Sequence, residues 1–206
     1  VKTQTDDQIS LLKTHKHDKN SYLEIRNLDR QEGGLSVLSP LERASRFIYL
    51  NRTGFNGMYR VNSKGLNNVP FGRYKNPSIV NEDVLRASAK ALIDTQISNQ
   101  SFQDCLSNAR KGDFVYLDPP YVPLDDTSNF TSYMTNGFTM TDQKSLAALV
   151  TELDKRGVAF VASNAFLPVV RELYHGFRQI EVKAKRAINS QGHKRSAISE
   201  LLVTNR

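Results

Sequence analysis

The sequence predicts an α/β protein: a sheet with helices on its faces, preceded by a mainly helical, strongly basic segment. Three observations lead there. Two short apolar runs, Phe114-Val115-Tyr116-Leu117 and Val158-Ala159-Phe160-Val161-Ala162, read as buried strands. Each ends in polar residues, Asp118 and Ser163-Asn164. From residue 94 onward helix-like and strand-like stretches alternate, the pattern of a sheet covered by helices.

The elements follow in order. Residues 1–32 are polar and helix-tolerant, with weak apolar periodicity at Ile9, Leu12, Tyr22 and Ile25; His15 and His17 read as solvated. Ser39-Pro40-Leu41-Glu42 is a helix start, with Ser39 as N-cap, Pro40 in the first turn and Glu42 completing a capping box. Leu41, Ala44, Phe47, Ile48 and Leu50 give that helix an apolar stripe, and Gly54 and Gly57 place its end near Asn51. Residues 59–71 read as a hairpin with its turn at Ser63-Lys64-Gly65-Leu66. Asn81 caps a helix over 82–92. A short strand around 94–98, a helix over 101–110 and the strand at 114–117 come next. After a polar loop at 122–138, Thr141 or Asp142 starts a helix that Gly157 ends. The strand at 158–162 leads to a helix over 167–175, and strands at 177–184 and 198–204 flank a basic loop.

Composition narrows the function. With 206 residues and 39% apolar content, a sizeable core is affordable. No run approaches the ~18 apolar residues of a membrane span, and no signal-peptide pattern opens the chain. Cys105 is the single cysteine, which excludes an internal disulfide and a cysteine-rich zinc site and fits a cytoplasmic setting. It reads as a small core residue. The net charge is +7. It is concentrated: Gly34 to Lys75 holds seven bases (Arg43, Arg46, Arg52, Arg60, Lys64, Arg73, Lys75) against one acid, Glu42, and Lys183 to Arg195 holds five bases and no acid. Basic clusters interleaved with aromatics and amides favour a polyanionic partner.

Asp118-Pro119-Pro120-Tyr121 carries the chemistry. A strand that ends in an acid, two rings and an aromatic makes a rigid shelf for a flat amine. The exocyclic amine of adenine or cytosine is a poor nucleophile because its lone pair is shared with the ring. The Asp118 carboxylate and the Pro119 carbonyl can accept its two N–H hydrogens, Pro120 fixes the backbone, and Tyr121 stacks on the base. Positioning and electrostatics suffice for such a transfer; it requires no metal. The base must leave the duplex, at a cost of a few kcal/mol, and Phe130 and Phe138 are candidates to close over it. Asn164 either caps the following helix or lines the pocket. Ligands of such sheets sit at the carboxyl ends of strands, where both Asp118 and Asn164 fall.

Three blocks in order identify a family. Asn51-Arg52, Gly54-Phe55-Asn56-Gly57-Met58-Tyr59-Arg60, then Asn68-Val69-Pro70-Phe71-Gly72-Arg73-Tyr74, then Asp118-Pro119-Pro120-Tyr121 with Pro123-Leu124 closely resemble the Dam-type DNA adenine-N6 methyltransferases. With the tail from Lys185-Arg186 to Ser199-Glu200, the resemblance covers nearly everything from about residue 40. It implies the C-terminal part of a Rossmann-like methyltransferase sheet with a helical and β-hairpin target-recognition domain. Residues 1–92 are then the target-recognition domain, with a DNA-reading hairpin at about 51–75, and 93–206 the catalytic part.

The resemblance also implies roles. Phe55 matches the aromatic that wedges into the base stack, and Asn56 its neighbour at the vacated space. Arg60 matches the arginine that reads a guanine of GATC. Met58 and Pro70 match apolar contacts to thymine. Arg52, Asn62, Asn68, Arg73 and Lys75 fall among the DNA contacts, as do Arg186 and Asn189 with Lys194 and Arg195. Asp118, Ser101 and Phe102 fall beside the cofactor, S-adenosylmethionine. The partners implied are duplex DNA of the nucleoid and a restriction endonuclease of the same specificity.

One departure is large. The family's aromatic-x-Gly-x-Gly cofactor turn and its Trp-x-Gly-Gly-Lys block are absent, and the chain holds no Trp. Both belong upstream of Val1 in the family's order, so the expectation is a C-terminal two-thirds that methylates poorly alone. Two other readings stay open: a non-catalytic DNA-binding module, and an amino-methyltransferase for cytosine N4 or RNA. The Asp at position 118 argues mildly against the cytosine case.

Overall fold

The computed structural model describes residues 2–123, 137–185 and 197–206, in two compact units, Val1–Ser98 and Asn99–Arg206. In unit one, α1 (Thr5–Lys13), α2 (Lys19–Asn27), α3 (Pro40–Thr53) and α4 (Glu82–Ala91) surround a core of Leu12, Tyr22, Tyr49 and Leu50. The capping box forms as the sequence predicts: Ser39 Oγ accepts from Glu42 N at 3.2 Å and Glu42 Oε2 from Ser39 N at 2.8 Å. The helix runs to Thr53, past the expected stop at Asn51. Gly54 N–H still donates to Leu50 C=O at 2.8 Å, and Thr53 Oγ1 to Tyr49 C=O at 2.7 Å.

Three sequence expectations in this unit change. His15 and His17 are not simply solvated. His15 Nε2 lies 2.8 Å from Ser45 Oγ with its ring against Tyr49, and burial lowers its pKa; His17 Nε2 donates to Tyr74 C=O at 2.6 Å. The strand expected at 94–98 is absent, since those residues have no ladder partner among the described residues. Arg46 is not part of the basic surface: it is 3% exposed. Its guanidinium donates to the carbonyls of Ile25 (2.9 Å) and Arg26 (2.7 Å), to Tyr59 Oη (3.2 Å) and to Asp29 Oδ2 (2.8 Å). Asp29 Oδ2 also accepts Asn67 N–H at 2.7 Å, so one buried ion pair ties α2 and α3 to the hairpin.

In unit two, α5 (Phe102–Leu106), β1 (Phe114–Leu117), α6 (Met140–Lys155), β2 (Ala159–Ala165), α7 (Pro168–Leu173), β3 (Arg178–Lys185) and β4 (Ala197–Thr204) form the predicted α/β arrangement. The sheet order is β1-β2-β4-β3. β1 and β2 are parallel, and β4 runs antiparallel to both β2 and β3. The core gathers Leu146, Val150 and Leu153 of α6 against Phe160, Ala162, Val170, Leu201 and Val203.

Here too the details differ. β1 is not fully buried. It is an edge strand of this sheet, with Phe114 and Tyr116 exposed and Leu117 alone buried. Helix α5 is one turn rather than the expected 101–110, because Arg156 takes the carbonyls of Leu106 (3.0 Å) and Ser107 (2.9 Å). That short turn buries Leu106 and leaves Cys105 exposed. The N-cap of α6 is Thr139, two residues before the expected start, in a capping box with Asp142.

Removing one member of a buried ion pair strands the other charge and costs about 3–5 kcal/mol. Arg46→Ala is therefore expected to destabilise unit one by that order, read as a lower midpoint in denaturant unfolding followed by circular dichroism.

Candidate active site and nucleic-acid interface

The parallel register pairs Leu117 with Ala162, so Asp118, one residue past the end of β1, lies level with Ser163 inside β2. Asp118 is exposed, and Ser163 Oγ donates to its Oδ1 at 2.8 Å. Among the described residues neither its second oxygen nor the Pro119 carbonyl takes a donor. Behind them the chain is tied down. Gln143 Nε2 donates to Pro120 C=O at 2.8 Å, and Val122 N–H donates to Asn164 Oδ1 at 3.2 Å. Tyr121 between these ties stays partly exposed. Partial burial raises its pKa; the Ser163 hydroxyl pulls the other way and the charges of Glu200 and Asp118 add to the rise.

The structure brings Asp118, Pro119, Pro120 and Tyr121 together with an acceptor pair open to solution. It also brings in Ser163, on the neighbouring strand, and Gln143, on a helix 23 residues after Pro120, neither of which the sequence assigns to the site. Asn164 does not cap the next helix, since α7 has no side-chain cap. It is 2% exposed and braces the back of the shelf.

The cofactor-side residues are engaged otherwise. Ser101 Oγ caps α5, accepting from Asp104 N at 3.1 Å and donating to Asp104 Oδ2 at 2.7 Å. Phe102 packs on the core and on Phe138, 5.6 Å between ring centres, so Phe138 is part of the packing rather than a free lid. Phe130, Arg186, Asn189, Lys194 and Arg195 lie outside the described residues.

In unit one the predicted hairpin is a narrow loop held by few ladder bonds. Antiparallel bridges join Gly54 to Phe71 and Val61 to Asn67. Asn68 N–H donates to Arg60 C=O at 3.0 Å and Phe55 N–H to Pro70 C=O at 2.9 Å. Asn62 builds the tip: its Oδ1 accepts from Lys64 N (3.0 Å) and Leu66 N (3.1 Å). Asn68 Oδ1 accepts Arg60 Nε at 2.9 Å, which fixes the guanidinium plane and leaves its two terminal nitrogens available. Arg52, Phe55, Asn56, Arg60, Pro70, Arg73 and Lys75 are exposed and Met58 is half-buried. Asn56 and Arg73 hold positive φ, 54° and 53°. Arg52 and Lys75 share an open cleft of about 380 Å³ with Asn51 and Tyr74.

An exposed aromatic beside an oriented arginine on a basic loop suits nucleic acid, and a strand-end carboxylate with one free oxygen next to the Pro119 carbonyl suits a planar amine. The comparison with known families decides which. The description "D12 class N6 adenine-specific DNA methyltransferase" matches residues 1–188. The chain belongs to this family. It is 41% identical over 209 residues to the type II methyltransferase M1.LlaDCHI of Lactococcus lactis subsp. cremoris, covering 100% of this chain and 73% of that protein. It is 45% identical over 167 residues to the type II methyltransferase M.MjaIII of Methanocaldococcus jannaschii (80% and 58%). Against the DNA adenine methylase of Escherichia coli K12 the figures are 36% over 203 residues, 98% and 72%. The chain thus spans 58 to 73% of the length of these relatives.

The hairpin base depends on close backbone approach. A Cβ on Gly72 would sit 2.8 Å from Gly54 C=O and 2.9 Å from Thr53 C=O. Gly72→Ala is expected to open the base of the loop, lowering the thermal midpoint of unit one and weakening duplex binding together, as melting and fluorescence anisotropy would report.

Proposed function

We propose that this chain carries the target-reading and amine-accepting parts of a DNA adenine-N6 methyltransferase that acts on a GATC-type site. The observation that carries the reading is the Asp118 carboxylate, held by Ser163 at an open strand end, one oxygen free, with Tyr121 exposed beside it. In this proposal the hairpin and the residues around it bind duplex DNA and the target adenine is extruded from the stack. Tyr121 stacks on the extruded ring. The Asp118 carboxylate and Pro119 carbonyl accept the two N6 hydrogens, drawing the nitrogen toward a tetrahedral shape and freeing its lone pair. As N6 gains a substituent, the proton it releases leaves by way of the Asp118 carboxylate to solvent. Arg60 pairs with the O6 and N7 of a guanine, Phe55 fills the space the adenine leaves, with Asn56 beside it, and Met58 and Pro70 contact a thymine edge. Arg52, Arg73 and Lys75 meet phosphates, and Arg186 and Asn189 are assigned to DNA as well.

S-adenosylmethionine is the methyl donor that the family implies, and it supplies an electrophilic methyl group on a sulfonium. The described residues fit one wall for it: the negative charge of Asp118 at the strand end suits that cation. Ser101 offers little, since its hydroxyl is engaged in the α5 cap. Among the described residues no helix is long and apolar enough to cross a membrane. Work on nucleoid DNA in the cytoplasm belongs to the proposal, as does a restriction endonuclease of matching specificity, in keeping with the type II names of two relatives.

Two substitutions test the proposal. Asp118→Ala is expected to reduce methyl transfer to an adenine-containing duplex by roughly 10²-fold or more while duplex affinity is largely kept; turnover at the wild-type rate refutes the assignment. Arg60→Ala is expected to lose about 1–3 kcal/mol of discrimination at one guanine. Equal losses on specific and random duplexes in a competition assay would make Arg60 a phosphate contact instead.

A further inference from the structure

Gln143 and Asn164 are each 2% exposed, an uncommon place for two carboxamides. They form a directed chain. Val122 N–H donates to Asn164 Oδ1 (3.2 Å), Asn164 Nδ2 donates to Gln143 Oε1 (3.0 Å), and Gln143 Nε2 donates to Pro120 C=O (2.8 Å). Asn164 Oδ1 takes a second N–H, that of Ala165, at 2.8 Å. The two backbone groups gripped at the ends belong to the residues before and after Tyr121. The ladder of β1 stops at Leu117, and neither Pro119 nor Pro120 has an N–H to continue it. Among the described residues no sheet bond holds this stretch, and the amide pair takes its place.

We propose that Gln143 and Asn164 are positioning residues for methyl transfer: a buried two-amide clamp that sets where the Tyr121 ring, and the base stacked on it, stands relative to Asp118. This rests on the proposed base-accepting role of the shelf. Burying carboxamides costs free energy unless every polar atom is satisfied. A satisfied chain of directed bonds selects one backbone path, which an apolar pair of the same volume does not. Ser163 completes the arrangement by turning the Asp118 carboxylate. Residues from β2 and α6 thereby hold Asp118, Pro120 and Val122 from behind.

The test compares wild type, Gln143→Met, Asn164→Ala and Asp118→Ala. Gln143→Met keeps chain length and removes both hydrogen bonds. Each variant is followed by thermal melting, by duplex affinity, by steady-state methyl transfer and by amide hydrogen exchange at Val122. The expected result for Gln143→Met is a kcat lower by about 10–100-fold with the KM for duplex nearly unchanged, and faster exchange at Val122 in a protein that still melts cooperatively. Asn164→Ala should repeat it. A folded Gln143→Met variant with wild-type kcat overturns the proposal, and so does unchanged protection of Val122. Parallel loss of duplex affinity and kcat with a collapsed melt also overturns it, marking the pair as general stabilisers. Wild type that neither binds duplex DNA nor methylates adenine in any duplex tested refutes the proposed function instead, and exchange at Val122 still judges the clamp.

Discussion

Pro119 and Pro120 cannot donate backbone hydrogen bonds, and this constraint organises unit two. A strand that runs into two prolines must leave its sheet, so Asp118 and Tyr121 stand beyond the last ladder pair, where they can meet a ligand. The same escape removes the bonds that would fix them. The parallel register brings Ser163 beside Asp118. The first turn of α6, stopped by its capping box at Thr139, brings Gln143 to Pro120. Helix start and strand register therefore matter to the shelf more than the composition of the core does.

Unit one solves a similar problem by different means. A loop that presents exposed Phe55 and Arg60 has little core of its own. Its base is held by tight backbone approach between Gly54 and Gly72, and by Tyr22 Oη donating to Val69 C=O at 2.9 Å. The Asp29–Arg46 pair, fully desolvated, reaches the loop at Asn67 and Tyr59. A lone buried charge is costly, whereas this pair is surrounded by carbonyl and amide partners. The asparagines divide by role. Asn62 is used within the tip and Asn68 on Arg60, which makes both of them scaffolding as well as candidate contacts.

Much of this was legible in the sequence because it is local. Ser39-Pro40-Leu41-Glu42 encodes its own cap, and runs such as Phe160-Val161-Ala162 encode strands. The three motif blocks pointed to the adenine methyltransferases, and the family match agrees. What escaped is decided by residues far apart. The charge of Arg46 reads as a surface base until Asp29 and two helix-end carbonyls are known to surround it. Cys105 reads as core until Arg156 shortens its helix. β1 reads as buried, but within this sheet one of its edges has no neighbour. Gln143 has no sequence signal at all, since a Gln in the first turn of an amphipathic helix is ordinary; only its position under Pro120 gives it a role.

Taking Arg46 out of the basic surface sharpens the electrostatic argument. Of the six bases between Gly34 and Lys75 that remain exposed, Arg52, Arg60, Lys64, Arg73 and Lys75 lie on or beside the hairpin and Arg43 lies on α3. In the proposed reading, sequence-independent attraction to phosphate therefore concentrates near the hairpin, and falls with salt as counterions are released. Discrimination need not fall with it. In the proposed reading it depends on Arg60, whose plane Asn68 fixes, and on a shelf that accepts hydrogen bonds rather than charge. On that proposal binding strength and target choice are carried by different side chains, and ionic strength acts on the first far more than on the second.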